Sequence, residues 1–365
     1  MWESPPLASL LTTLDDADSP VGKRMRATYF LKQQYDNYTR NARVEGDERG
    51  AERPEDVSQI VIDALAKSLA NCRHGSLLRH EFAYVMGQLR DERAASILEK
   101  TLMDEDDNAM VRHECAEALG AIGSTSSIAV LEKCGKSDGS VEVGETCRLA
   151  LDYIRWKTNG GEEGEESAPI ACACMLSPYS SIDPAPPHPR HAKMETEEIG
   201  AILLNESESL FERFRAMFSL RNRGGAECVK HLGNALVKDS SSALLRHEVA
   251  YVLGQLQHSD AVEYLELSLK RDHEHCMVRH ESAEALGAIE ERWGECETIL
   301  SQFLHDDDDV VRESCLVALD AADYWGHSSC SRKEEDNMTF SLHKAEACGG
   351  EHVGTGALQN HFNCV

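Results

Sequence analysis

Residues 77–89 read LLRHEFAYVMGQL and residues 244–256 read LLRHEVAYVLGQL, identical at 11 of 13 positions. A second couple of stretches behaves alike: VRHECAEALGAI at 111–122 and VRHESAEALGAI at 278–289 agree at 11 of 12. Each stretch carries one His-Glu dipeptide: His80-Glu81, His113-Glu114, His247-Glu248 and His280-Glu281. His113 follows His80 at the same interval as His280 follows His247, and His247 follows His80 at the same interval as His280 follows His113. A short repeat is thus nested in a duplication. Repeats of roughly 30-odd residues with apolar positions at helical spacing predict an α-solenoid. One helix pair cannot bury its apolar face alone, so stacked neighbours supply the core.

Outward from these stretches the plan continues. RMRATYFLK (24–32), preceded by Asp18, Ser19 and Pro20, is echoed by RFRAMFSLR (213–221). The interval from Arg26 to His80 exceeds that from Arg215 to His247, so the first half carries an insertion of about 22 residues by repeat alignment. Its polar core lies at 42–55. Helices are predicted within 6–41, then in pairs at 56–71 with 75–90, 93–103 with 108–123, and about 126–135 with 140–156. The second half repeats the plan at 208–223, 225–257, 260–290 and 294–324. Gly87 and Gly120 read as helix stops, where glycine takes a left-handed conformation at little cost. VGETCRLAL (143–151) and VRESCLVAL (311–319) keep the helix pattern but lack the histidine.

The expected fold is all-α, an α-α superhelix of eight helix pairs in two pseudo-symmetric lobes of four. The lobes are expected at 1–156 and 196–326, joined by an acidic, proline-rich linker at 157–195 and followed by a mobile tail at 327–365. The second helices of the pairs share one surface, which sets His80 beside His113 and His247 beside His280. If the lobes face each other about a pseudo-two-fold axis, all four dipeptides converge on one groove.

Composition narrows the function. The formal net charge of −27 argues against nucleic acid as the main partner and favours a basic one. No apolar run is long enough to span a membrane and no N-terminal signal pattern is present, so a cytoplasmic protein without a membrane partner is expected, acting as a monomer. The 13 cysteines read mostly as reduced thiols. Cys172 and Cys174 form CxC, which we read as a chance pairing.

Histidine offers a neutral nitrogen ligand and glutamate a hard anionic oxygen. Two histidines with one carboxylate suit non-haem Fe(II) and leave positions open for dioxygen or substrate. Four histidines and four glutamates could hold two such ions. Adjacent residues stand about 100° apart on a helix, so the two ligand types must splay around a metal. HExxH is absent, and no zinc-finger spacing occurs. Arg-His-Glu as a mere repeat consensus need not be confined to the middle two pairs of each half, yet the dipeptide is.

With these motifs on duplicated helix pairs, the chain resembles the deoxyhypusine hydroxylases over roughly 22–36 and 56–326. The resemblance implies eight HEAT repeats in two lobes with a di-iron centre between them. It implies a monooxygenase that uses dioxygen to hydroxylate the deoxyhypusine side chain of translation initiation factor 5A, completing hypusine. Two Fe(II) ions would bind dioxygen as a bridging peroxide, and an external reductant would restore them. All eight residues, His80, Glu81, His113, Glu114, His247, Glu248, His280 and Glu281, are carried as metal-site residues. Two sets of two histidines and one carboxylate leave two glutamates over. We expect Glu114 and Glu281 to bind metal directly. Glu81 and Glu248 are then the catalytic carboxylates, supporting the ligands or holding the substrate amine. Second-sphere hydrogen bonds should orient the imidazoles.

Neighbouring positions have two readings each. Tyr84 and Tyr251, four residues after a histidine, suit either a substrate channel or packing. Glu117 and Glu284 are expected to pair with a neighbouring arginine rather than support a ligand. Met110 and Met277 suit the site or the core equally. Arg79, Arg112, Arg246 and Arg279 are expected in surface or inter-repeat ion pairs worth roughly 0–1 kcal/mol. The clusters Asp104–Asp107 and Asp306–Asp309 read as inter-repeat turns and helix N-terminal charges before they read as steering groups for a cationic client. The reading from another class is a non-catalytic repeat scaffold for protein partners; a third is a HEAT-like bilin lyase. The His-Glu quartet argues against both.

Overall fold

The computed structural model describes residues 4–44, 56–159 and 177–325. The expected tail, residues 45–55 of the insertion and residues 160–176 of the linker lie outside the described residues. Sixteen α-helices and no strand occur among the described residues. The first half comprises α1 (Leu7–Asp15), α2 (Val21–Val44), α3 (Val57–Leu69), α4 (Gly75–Leu89), α5 (Ala95–Leu102), α6 (Ala109–Ile122), α7 (Ile128–Ser137) and α8 (Val141–Thr158). The second comprises α9 (Thr196–Leu204), α10 (Leu210–Arg223), α11 (Gly225–Lys238), α12 (Ala243–Leu256), α13 (Val262–Leu269), α14 (Cys276–Gly287), α15 (Trp293–Ser301) and α16 (Asp309–Trp325). No described helix is long and apolar enough to cross a membrane.

The even-numbered helices form an inner layer, each packing on the next. The layer closes: α8 packs on α10 and α12, and α16 packs on α2 and α4. This closure turns two stacked arrays into a ring and brings the His-Glu helices α4, α6, α12 and α14 to face one another. Side-chain caps start three of these four. Asn108 accepts from Met110 N at 2.9 Å, Ser242 from Leu245 N at 3.0 Å, and His275 from Met277 N at 3.3 Å. Each cap satisfies an amide that the first turn leaves without a partner.

Gly87 and Gly120 are not helix stops. Both lie inside their helices, and the positive φ falls on Arg90 (52°) and Gly123 (74°) instead. A Cβ on Gly87 would stand 2.7 Å from Ala118 Cα, and one on Gly120 would stand 2.9 Å from Ala150 Cβ. These glycines let α4 close on α6 and α6 close on α8. The left-handed residue need only follow the last turn, and here it comes three positions later.

The arginines are inter-repeat; Arg79, Arg112, Arg213 and Arg279 are buried and Arg246 is half-buried. Arg79, Arg112 and Arg279 each donate Nε to the carbonyl ten residues back, on Leu69, Leu102 and Leu269, at 2.7 to 3.0 Å. Their outer nitrogens reach Asp107, Asp138 and Asp306 of the following repeat. Arg213 does the same with Leu203 and Asp239, and Arg246 pairs with Glu274 at 2.6 Å. Loops between repeats are thereby tied to the inner helices. Because these pairs are desolvated, the small value expected for surface pairs does not apply. Asp107 and Asp306 are committed to the ties. Met110 and Met277 pack in the apolar core.

Helix α2 runs on past the end of its counterpart α10, and Tyr35 in this extension donates to Asp91 at 2.8 Å. Residues 177–195 pack as well. Ala185 is fully buried, and residues 189–193 form a 3-10 turn. The amide of Ile182 donates to Gln88 Oε1 of the first half at 2.8 Å, while Asp183 accepts two bonds from Arg221 of the second, at 2.6 and 2.7 Å. This strap is held from both sides of the ring.

Candidate metal centre

The closed inner layer brings the four histidines together. Ring centroids of His80 and His113 lie 5.3 Å apart, as do those of His247 and His280. Across the halves, His80 stands 5.3 Å from His280 and 6.0 Å from His247, and His113 stands 5.4 Å from His247. All four, and all four adjoining glutamates, are buried. Glu114 Oε2 approaches His80 Nε2 at 3.1 Å, and its repeat equivalent Glu281 approaches His247 Nε2 at 3.5 Å. Each of these carboxylates therefore faces the histidine of the preceding repeat, which is how adjacent ligand types splay around a common centre.

No ring nitrogen of the four histidines has a protein hydrogen-bond partner among the described residues. Leaving one buried polar atom without a partner costs about 1–3 kcal/mol, so a cluster of them is not a packing solution. Burial holds His80 below the usual imidazole range and His113, His247 and His280 well below it. Neutral imidazole is the form that ligates metal. Burial, then Glu284, pushes Glu81 up to about 8, and burial pushes Glu114 up to about 8. Glu248 and Glu281 rise well above the carboxylate range for the same reason, reinforced by neighbouring carboxylates. A multivalent cation among them would favour the charged form of every one. Donor atoms of His80, His113 and Glu114, of His80, His247 and His280, and of His280, Glu281 and Glu284 each lie within 4.8 Å of one another. These sets fit a metal whose ligands are imidazole and carboxylate.

The remaining acids divide. Glu81 accepts a hydrogen bond from the hydroxyl of Tyr29 on α2. Glu284 accepts from Ser314 Oγ at 3.0 Å and sits 3.7 Å from His280 Nδ1. Glu117 Oε2 is buried without a partner among the described residues. The arginine pairing expected for Glu117 and Glu284 is not what holds them, since Arg112 and Arg279 are engaged by Asp138 and Asp306. Tyr84 and Tyr251 line the same cavity. Their hydroxyls meet at 3.1 Å.

Sequence reasoning missed three contributors. Tyr29 lies in the stretch that aligns with 213–221, and its mismatch with Phe218 is the signal the sequence carries. Ser181, Ile182, Asp183 and Pro184 line the cavity from a stretch that composition marks as linker. Arg221 and Gln255 bind that stretch. Arg221 donates to Gln255 Oε1 at 2.9 Å, and Gln255 Nε2 donates to Ser181 Oγ at 3.1 Å and Tyr251 Oη at 2.9 Å. Nothing in their local sequence distinguishes them from helix surface.

Comparison with known proteins agrees with this architecture. A family description of HEAT repeats matches residues 57–151 and 229–320. Deoxyhypusine hydroxylase of Saccharomyces cerevisiae is 44% identical over 277 residues, covering 76% of this chain and 81% of the yeast protein. The proteins of that name from Drosophila melanogaster and Danio rerio are 45% and 43% identical, covering 72% and 75% of this chain and 81% and 82% of their own lengths. The solved structure of human deoxyhypusine hydroxylase in complex with glycerol superposes with a TM-score of 0.72 at 39% identity, covering 87% of this chain and 96% of the human one. Buried histidines and glutamates on duplicated HEAT repeats, with relatives this similar over most of their lengths, place the chain in the deoxyhypusine hydroxylase family.

Proposed function

We propose that the protein hydroxylates the deoxyhypusine side chain of translation initiation factor 5A with dioxygen, at a centre of two iron ions. The observation that carries the metal reading is the set of mutually facing imidazoles whose ring nitrogens have no protein partner among the described residues. His80, His113 and Glu114 would hold one ion, and His247, His280 and Glu281 the other. The chemistry that bound iron supplies is activation of dioxygen toward an unreactive C–H bond, which acid–base groups alone cannot attack. An external two-electron reductant balances that chemistry.

The chain's own residues do the rest. Glu81 and Glu248 receive ammonium charge from the substrate, and the Tyr29 hydroxyl fixes the Glu81 carboxylate. The strap at 181–184 covers one side of the cavity and limits water entry. The acidic balance of the chain, −27, draws a polycationic client toward it. One chain supplies both halves of the site, which supports action as a monomer.

The test is elemental analysis of purified protein beside His113→Ala, Glu114→Ala and Glu81→Ala, followed by an oxygen-dependent assay on the deoxyhypusine-bearing factor. About two irons per chain, lost in His113→Ala and Glu114→Ala but kept in Glu81→Ala with turnover abolished, is the expected result. Iron lost in Glu81→Ala and kept in Glu114→Ala would reverse the carboxylate roles. Protein that takes up no Fe(II) would leave a repeat scaffold as the better reading.

A further inference from the structure

The cavity is built by a duplication, and its two acidic ends are not equivalent. At one end Glu81 accepts from Tyr29, and Glu284 accepts from Ser314 Oγ at 3.0 Å. Their repeat equivalents at the other end are Glu248 and Glu117. There the residues equivalent to the two donors differ. In the aligned stretches 24–32 and 213–221, Phe218 stands where Tyr29 does. In 143–151 and 311–319, Thr146 stands where Ser314 does. The Thr146 hydroxyl donates to the Glu142 carbonyl at 2.9 Å. A hydroxyl has one proton, so Thr146 cannot also serve Glu117. Glu117 Oε2 is buried with no hydrogen-bond partner among the described residues.

Glu117 also occupies a junction. It lines the histidine cavity and, on its other side, an adjoining cleft walled by Ala118, Ala121, Leu149 and Ala150. These walls are of the kind an aliphatic chain packs against, and a cation at the end of a chain lying along them would meet Glu117. The donor that Glu117 Oε2 lacks among the described residues is of the kind an alkylammonium brings, with three N–H groups and a charge to match the carboxylate.

We propose that Glu117 is a substrate-binding residue that receives an ammonium group of the aminoalkyl side chain where it passes from the apolar cleft into the histidine cavity. This rests on the reading that the substrate is a deoxyhypusine side chain. It breaks the symmetry of the site: at the end served by Tyr29 and Ser314 each carboxylate already holds a protein donor, and at the other end Glu117 takes its donor from the substrate.

Calorimetric binding of the deoxyhypusine-bearing factor, and of the factor with unmodified lysine, tests this on metal-free and iron-loaded protein. Glu117→Gln keeps the shape and removes the charge. It is expected to weaken binding of the deoxyhypusine form about tenfold or more in both states, with iron content as in the wild type. In turnover the loss should appear in KM, with kcat changed only a few-fold. Glu117→Asp should recover part of the affinity. Unchanged affinity in Glu117→Gln would overturn the proposal, as would loss of iron, since the residue would then belong to the metal set. Wild-type protein that binds both forms equally and hydroxylates neither would instead remove the functional reading beneath it, before any variant is compared.

Discussion

The hydroxyl oxygens of Tyr84 and Tyr251 lie 3.1 Å apart, although 167 residues separate them in the chain. They are the same position of the duplicated unit, so their contact marks where the two halves meet. Tyr251 Oη also accepts from Gln255 Nε2 at 2.9 Å, and Gln255 in turn holds Ser181 and accepts from Arg221. Tyr251→Phe would leave one amide proton of Gln255 without its acceptor, and is expected to destabilise by about 1–3 kcal/mol. Tyr84→Phe removes only the shared bond and should cost about 1 kcal/mol or less. Urea unfolding of both single variants and the double variant checks this, with the double variant costing less than the sum.

The buried arginine ties give a second contrast. The Arg213 and Asp239 side chains are 2% and 1% exposed, whereas those of Arg73 and Asp18 are 67% and 83% exposed. Arg213→Ala removes the nearest charge partner of Asp239, which keeps its bonds from Ser241 and Ser242, and the Arg213 donor to the Leu203 carbonyl, and is expected to cost about 3 kcal/mol. Arg73→Ala should cost no more than about 1 kcal/mol. Denaturation midpoints that fall equally in the two variants would count against burial as the cause.

Glycine to alanine within a helix ordinarily gains about 1 kcal/mol. At Gly87 the sign should invert, because the new methyl would stand 2.7 Å from Ala118 Cα and would force α4 off α6. A loss of about 1–3 kcal/mol is expected, and iron content should fall with it as His80 and His113 separate. Gly294 in α15 has nothing within 4 Å of a Cβ, so Gly294→Ala should be neutral or stabilising. Thermal melts of the two variants, moving in opposite directions, are the check.

Acid should weaken the second half through His191. Its Nδ1 lies 2.7 Å from Ser219 Oγ, whose own proton goes to the Arg215 carbonyl at 2.8 Å, so the ring donates from Nδ1. Nε2 is then a buried lone pair without a partner among the described residues. Burial, with help from His188, pushes His191 down to about 3. The folded value is below the unfolded one, near 6.5, so the unfolded chain binds the extra proton between them. The stabilisation is whole above about 6.5 and is lost as pH falls toward about 3, at up to about 1.4 kcal/mol per pH unit. Chemical denaturation across this range should show a shallower slope for His191→Gln than for the wild type.

The repeat was legible in the chain because it is written in periodicity. Helices, the lobe duplication and the set of eight His-Glu residues all follow from spacings within single segments, which local sequence determines. The positions misread are those whose role depends on a distant partner. Gly87 looked like a helix stop because a close approach by Ala118 leaves no trace near residue 87. Tyr29, Asp183, Arg221 and Gln255 were silent because residues remote in sequence give them their meaning.

What the sequence determined by itself is therefore an α-solenoid with its paired histidines and glutamates on one surface of each half. The tertiary structure decided that the inner helices close into a ring, that Glu114 and Glu281 face the preceding histidines, and that a proline-rich strap lines the site. It also decided that Glu117 Oε2 has no donor among the described residues while Glu284 accepts from Ser314. The physical reason is that periodicity dictates which face of a helix is buried. Which buried polar groups meet is set by packing between segments remote from one another in the chain, and a hydrogen bond exists only where both partners arrive.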